Sequence, residues 1–84
     1  MTVDLDYMEE CLHDVRDEVV RAGSLYLPMA SAHEGLSIIQ EEFEELKAEV
    51  YKQHKSRNKA KMYDEAMQIA AMAITFMMDR RRWE

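Results

Sequence analysis

Residues 40 to 46 read QEEFEEL, which puts Glu41, Glu42, Glu44 and Glu45 close together in a stretch of helical character. Like charges at i,i+4 on a helix cost roughly 0.2–0.5 kcal/mol per pair, so the cluster needs water, a basic partner or a metal ion to face. At about 100° per residue, Glu34, Glu41, Glu42, Glu45 and Glu49 fall in one sector of roughly 100°, while Glu44 points to solvent. This acidic strip borders an apolar stripe formed by Leu36, Ile39, Phe43, Leu46 and Val50. Further along, Glu65 and Gln68 lie one turn apart, beside a face of small residues. One reading is a solvated acidic face, as on many charge-rich helices. The other is a divalent-metal site, because oxygen-only ligands select hard cations such as Mg²⁺ or Mn²⁺. Acids at i and i+3 on one helix, facing an acid on another, build such a site inside a helical bundle.

Three helices are expected to position these groups. The first runs from about Asp4 to Ala22, with Leu5, Met8, Leu12, Val15 and Val19 recurring at steps of three and four. Gly23 is placed to end it as a left-handed cap, and Pro28 bars a continuous helix into the next element. The second opens on a capping box, Ser31-Ala-His-Glu34, and should reach about Gln53. A polar, basic loop, residues 55 to 59, leads to a third helix over roughly Lys59 to Arg80. On that helix Met62, Ala66, Ile69, Ala70, Ala73, Ile74 and Met77 make one face, and Ala71, Met72, Phe76 and Met78 fill other directions. A helix apolar nearly all round is buried on more than one side, so a second chain is expected against it. The methionines serve as adaptable core filler.

Composition sets the frame. The chain has 84 residues and should form one all-α domain over 1–84, since it holds only two Gly and one Pro and 48% of its residues are hydrophobic. A domain of this size buries only about 60–65% of its unfolded surface, which makes a homo-oligomer, a dimer or tetramer, a natural source of extra core. The net charge of −6 disfavours a nucleic-acid polymer as partner, which wants a basic face. The single Cys11 permits no internal disulfide. The opening TVDLDYMEE is unlike a secretion signal, and the longest apolar run falls short of the roughly 20 residues that span a bilayer. No membrane association and a reducing, cytoplasmic setting are expected. The sequence has no Cys/His zinc spacing, nucleophile elbow or glycine-rich phosphate loop.

Glu41-Glu42-Phe43-Glu44-Glu45-Leu46 resembles the EExxEL motif of the MazG-like all-α nucleoside triphosphate pyrophosphohydrolases. That family carries ExxE, a spacer, then ExxD. Glu42 and Glu45 match ExxE, the spacer is residues 46 to 64, and Glu65-Ala-Met-Gln68 stands where ExxD belongs. The flanks, His33-Glu34-Gly35 and Glu65-Ala-Met-Gln-Ile-Ala-Ala-Met-Ala, are similar to a small phage or prophage dATP/dGTP pyrophosphohydrolase-like branch. The resemblance covers about residues 29 to 79. One departure is that Gln68 replaces the motif aspartate. Gln68 can offer Mg²⁺ a neutral carbonyl oxygen but no charge. Either it binds more weakly or through water, or Asp64 or Asp79 substitutes, or catalysis is weakened.

The resemblance implies a MazG-like hairpin bundle whose four-helix core is completed by oligomerisation. It also implies hydrolysis of a nucleoside triphosphate to a monophosphate and pyrophosphate with Mg²⁺ or Mn²⁺ as cofactor. Glu42, Glu45 and Glu65 are the implied metal ligands together with Gln68, and Glu41 is a ligand or water-orienting base. Glu34, two turns earlier on the same strip, and His33 are candidate substrate contacts. Lys55, Arg57, Lys59 and Lys61 supply positive charge for phosphates, or simply solubility. The cations Arg80, Arg81 and Arg82 suit the end of a helix dipole, and Trp83 or Tyr63 could stack on a base or pack. His13, His54 and Cys11 carry no chemical expectation. The competing reading is a non-catalytic helical oligomer that meets a basic partner through its acidic face.

Overall fold

The computed structural model describes residues 2–83, and within them every regular element is helical. Three long helices follow in order: α1 (Leu5–Leu25), α2 (Ala32–Val50) and α3 (Lys59–Asp79). Single 3-10 turns at His54–Ser56 and Arg80–Arg82 precede and follow α3. Each long helix begins where a short polar side chain can take an orphan amide. Asp4 accepts from the Tyr7 amide, Ser31 from that of Glu34, and Asn58 from that of Lys61. The N-cap half of the expected capping box therefore forms.

Two boundaries differ from expectation. α1 does not stop at Gly23; it continues to Leu25, and no described glycine has positive φ. Alanine and serine around Gly23 continue the helical ladder, and Tyr26, in extended conformation, ends it. α2 stops at Val50 rather than Gln53, where the Arg57 side chain returns to the Val50 carbonyl at 2.8 Å and satisfies one of its last acceptors.

α3 is the central element. It packs against both α1 and α2, which make no comparable contact with each other. Ala71 of α3 is fully enclosed, and Val15 and Ala22 are buried on α1, which packs on α3. A small residue at that level is what lets two helices approach one. At the other side Gly35 of α2 admits the Phe76 ring: a Cβ there would lie 2.7 Å from Phe76 Cδ2 and 2.9 Å from Met29 Sδ.

The α1–α2 connection is tied to the end of α3. Asp79, largely buried, accepts from the Met29 amide at 2.9 Å, and Trp83 Nε1 donates to the Met29 carbonyl at 2.9 Å. Trp83 also stacks edge-on against Phe76, centroids 4.8 Å apart. The aromatic at the chain's end is thus packing. Tyr63 likewise joins α3 to α1 by donating its hydroxyl to Asp14, which holds the phenol in its protonated form.

A carboxylate groove between α1 and α2

Because α1 and α2 both lean on α3 without closing on one another, a groove of about 1170 Å³ remains between them, with α3 as its floor. The α2 wall carries Glu34, Glu41, Glu42 and Glu45, the floor Asp64, Glu65 and Gln68, and the α1 wall Glu18 and Arg21. The acidic strip read from helical angles is therefore turned onto the groove, with one exception at Glu49.

Glu42, Glu45 and Glu65 converge. One carboxylate oxygen from each lies within 4.8 Å of the other two. Glu42 and Glu45 come from successive turns of α2 and Glu65 from the facing turn of α3. Burial first, then the neighbouring charges of Glu45 and Glu65, pushes the Glu42 carboxyl above its usual range. Burial and Glu45 do the same to Glu65, partly opposed by the cation of Lys61. Both shifts have one physical meaning: three acids crowd a space that does not fully solvate them. The donor set is oxygen only and carries several negative charges, as hard divalent cations require. Octahedral Mg²⁺ with oxygens at about 2.1 Å needs ligand separations of roughly 3–4.2 Å. The 4.8 Å bound on the three carboxylate oxygens is close to that spacing, and the donor set is of the kind such an ion takes.

The remaining sequence-derived residues divide. Glu41 lies on the groove wall, exposed, and its charge contributes to the shift at Glu42. Glu34 lines the groove further along α2. Lys61 is exposed and close enough to Glu65 to act on its charge. Lys55 sits in the 3-10 turn and Lys59 opens α3; both are exposed and neither lines the groove. His33 faces a shallow apolar depression of about 470 Å³ with Leu36, Ile39 and Phe76, apart from the carboxylates.

Gln68 lines the groove one turn beyond Glu65, and its side chain lies against Glu18. Of the two aspartates that could stand in for it, Asp64 is exposed on the groove beside Glu65. Asp79 is engaged elsewhere, holding the Met29 amide. Glu49, counted with the strip on angle alone, is 1% exposed and accepts from the Asn58 amide and from Lys52 Nζ. These contacts hold its carboxyl below the usual range. It fastens the α2–α3 turn and does not face the groove.

Glu18 and Arg21 were not singled out from sequence. A signal was present: Val15, Glu18 and Ala22 recur at steps of three and four, which puts a carboxylate inside the buried stripe of α1. Arg21 Nε and Nη2 grip the two Glu18 oxygens at 2.8 and 2.6 Å. That grip, against the opposing effect of burial and with help from Gln68, keeps the Glu18 carboxyl below its usual range. Among known proteins, no family model matches the chain, and no curated protein or solved structure is significantly similar to it.

Proposed function

We propose that the protein is a metal-dependent nucleoside triphosphate pyrophosphohydrolase, releasing pyrophosphate and a nucleoside monophosphate. The observation that carries this reading is the meeting of Glu42, Glu45 and Glu65, from two helices, at the mouth of a groove large enough for a nucleotide. The resemblance of residues 29 to 79 to the MazG-like pattern supports it. Glu42, Glu45 and Glu65 would hold Mg²⁺ or Mn²⁺, with Gln68 offering a neutral oxygen one turn on. A dication held there supplies neutralisation of phosphate charge and a more acidic bound water. Glu41, exposed on the same wall, would orient or deprotonate the attacking water. Lys61 adds positive charge beside Glu65 for the phosphate chain.

A homo-oligomer belongs to this reading. Leu36, Phe43 and Met77 are exposed on the α2–α3 side away from the carboxylate groove, next to the His33 depression. A second copy seated there would complete a four-helix core and leave the carboxylates free.

One observation favours a second reading, an acidic interaction module without catalysis. Gln68 lies against Glu18 and brings no charge to the carboxylates. A pyrophosphate-release assay on a panel of dNTPs and NTPs, with Mg²⁺, with Mn²⁺ and with chelator, separates the two. Metal-dependent release with a monophosphate co-product is expected. No release on any nucleotide, from protein that circular dichroism reports as helical, would favour the interaction module.

A further inference from the structure

Of the two arginines on α1, Arg16 and Arg21, only Arg21 lines the groove. Its partner Glu18 is only 8% exposed. A buried ion pair is seldom the most stable choice for such a position, because an apolar side chain of similar volume avoids the desolvation cost. Glu18 sits in line with Val15 and Ala22, where an apolar residue would extend the α1–α3 packing. What the carboxylate does provide is direction. Its two oxygens accept from Nε and Nη2 of Arg21 and fix the plane of a guanidinium that is itself 54% exposed.

A guanidinium has five N–H donors, and Glu18 takes two. Among the described residues the other three have no acceptor. They belong to a residue lining the same groove as the carboxylates. Glu18 lies against Gln68, and Gln68 is one helical turn, roughly 4.5 Å of rise, from Glu65. The carboxylate that holds Arg21 is therefore level with Gln68, one turn along the groove floor from Glu65, and Arg21 follows one turn further along the α1 wall. Arg82, which also lines the groove, is at the far end beside Asp79, and Lys61, exposed next to Glu65, is not among the lining residues.

A triphosphate carries negative oxygens along its whole length. A metal on Glu42, Glu45 and Glu65 can neutralise only the part it touches, and bare carboxylates repel the rest. An oriented arginine suits planar, paired recognition of phosphate oxygens better than a mobile lysine does. We infer that Arg21, held in orientation by Glu18, is a substrate-binding residue that takes the phosphate oxygens of a nucleoside triphosphate away from the metal-bound end. This rests on the pyrophosphohydrolase reading.

The test measures two affinities by calorimetry on the full chain: Mn²⁺ alone, and then an α,β-methylene nucleoside triphosphate, which resists cleavage, with Mn²⁺ present. The variants are Arg21→Gln, Arg21→Lys and the double Glu18→Gln/Arg21→Gln. The double variant leaves no buried unpaired charge and so keeps the fold. Each arginine variant should bind Mn²⁺ within about twofold of the parent protein. The double variant should lose about tenfold or more in analogue affinity, and Arg21→Lys, which keeps charge but not the fork, should regain only part. Parent-like analogue binding by the folded double variant would overturn the role of Arg21 while leaving the metal reading intact. A parent protein that takes up neither Mn²⁺ nor the analogue would overturn both.

Discussion

At the scale of single residues, the crowded carboxylates set the chemistry. Neutralising Glu42 or Glu45 removes a ligand and also a repulsion. Glu42→Gln and Glu45→Gln should therefore abolish metal-dependent pyrophosphate release while the metal-free melting temperature stays equal or rises. Parent-like turnover in both variants would remove these residues from the site. The pH dependence follows from the same crowding. Glu42 and Glu65 hold their protons more tightly folded than unfolded. Their contribution to stability is thus lost as pH rises from the ordinary carboxylate value, about 4.3, through their raised folded values. Glu18 works in the opposite sense: its contribution is present above the ordinary value and lost as pH falls through its lowered one. A dication must displace the protons of Glu42 and Glu65. The rise in melting temperature produced by Mn²⁺ should be small near pH 5 and larger near pH 7.5, read in melts with metal and with chelator. An equal effect at both would argue against these two ligands. Glu41, Glu42 and Glu45 could be found from sequence because helical angle alone brings them to one side of α2, whereas Glu65, on α3, is matched to them by the resemblance to the MazG-like pattern. Glu49 shares that angle but lies beside the α2–α3 turn, where a backbone amide and Lys52 capture it. Helical angle describes direction and says nothing of what a neighbouring loop brings up.

At the scale of elements, the groove depends on how α1 and α2 are held apart on α3. The caps were legible, since Ser31 sits at the expected start of its helix. Gly23 misled because a glycine two residues before a helix end is compatible with helix as well as with a cap, and only the fixed path of the connection decides. That path is set by long-range contacts invisible in local sequence, namely Asp79 and Trp83 on Met29, and Phe76 against Gly35. Gly35→Ala gains about 1 kcal/mol of helix propensity but forces a Cβ to 2.7 Å from the Phe76 ring. Overpacking of this kind costs roughly 1–3 kcal/mol, so a net loss of stability is expected in denaturant titration. A variant more stable than the parent would mean that Phe76 has room to move. Asp79→Ala leaves the buried Met29 amide without its acceptor, at a cost of about 1–3 kcal/mol. It should leave Mn²⁺ affinity unchanged. A fall in that affinity without loss of stability would reinstate Asp79 as the missing fourth acid.

At the scale of the whole molecule, the single chain is open for its size. A folded monomer of this mass exposes roughly 5200 Å², whereas the chain exposes 6799 Å². Its radius of gyration is 14.4 Å, against about 12 Å for a compact domain of this length. The excess area, about 1600 Å², is roughly twice what one partner buries in a standard interface. The exposed side chains include large apolar ones, Leu5, Met8 and Leu12 along α1 and Leu36, Phe43 and Met77 across α2 and α3. The sequence led to the expectation of a second chain against α3, apolar nearly all round, whereas most of these exposed residues are on α1 and α2. It also counted Leu36, Phe43, Leu5 and Leu12 as core without showing that three helices leave them uncovered, because periodicity marks a face as apolar without saying which chain covers it. No helix among the described residues is long and apolar enough to cross a membrane, and the proposed cover is a second copy. Light scattering at micromolar concentration should give the mass of a dimer or tetramer. Leu36→Glu combined with Phe43→Glu, two carboxylates placed in that face and away from the groove, should lower the mass and the melting temperature together. Because Glu42, Glu45 and Glu65 all come from one chain, the dissociated variant should retain Mn²⁺ binding in whatever fraction stays folded. A parent protein that is monomeric and equally stable at all concentrations would show instead that the open monomer is the working form.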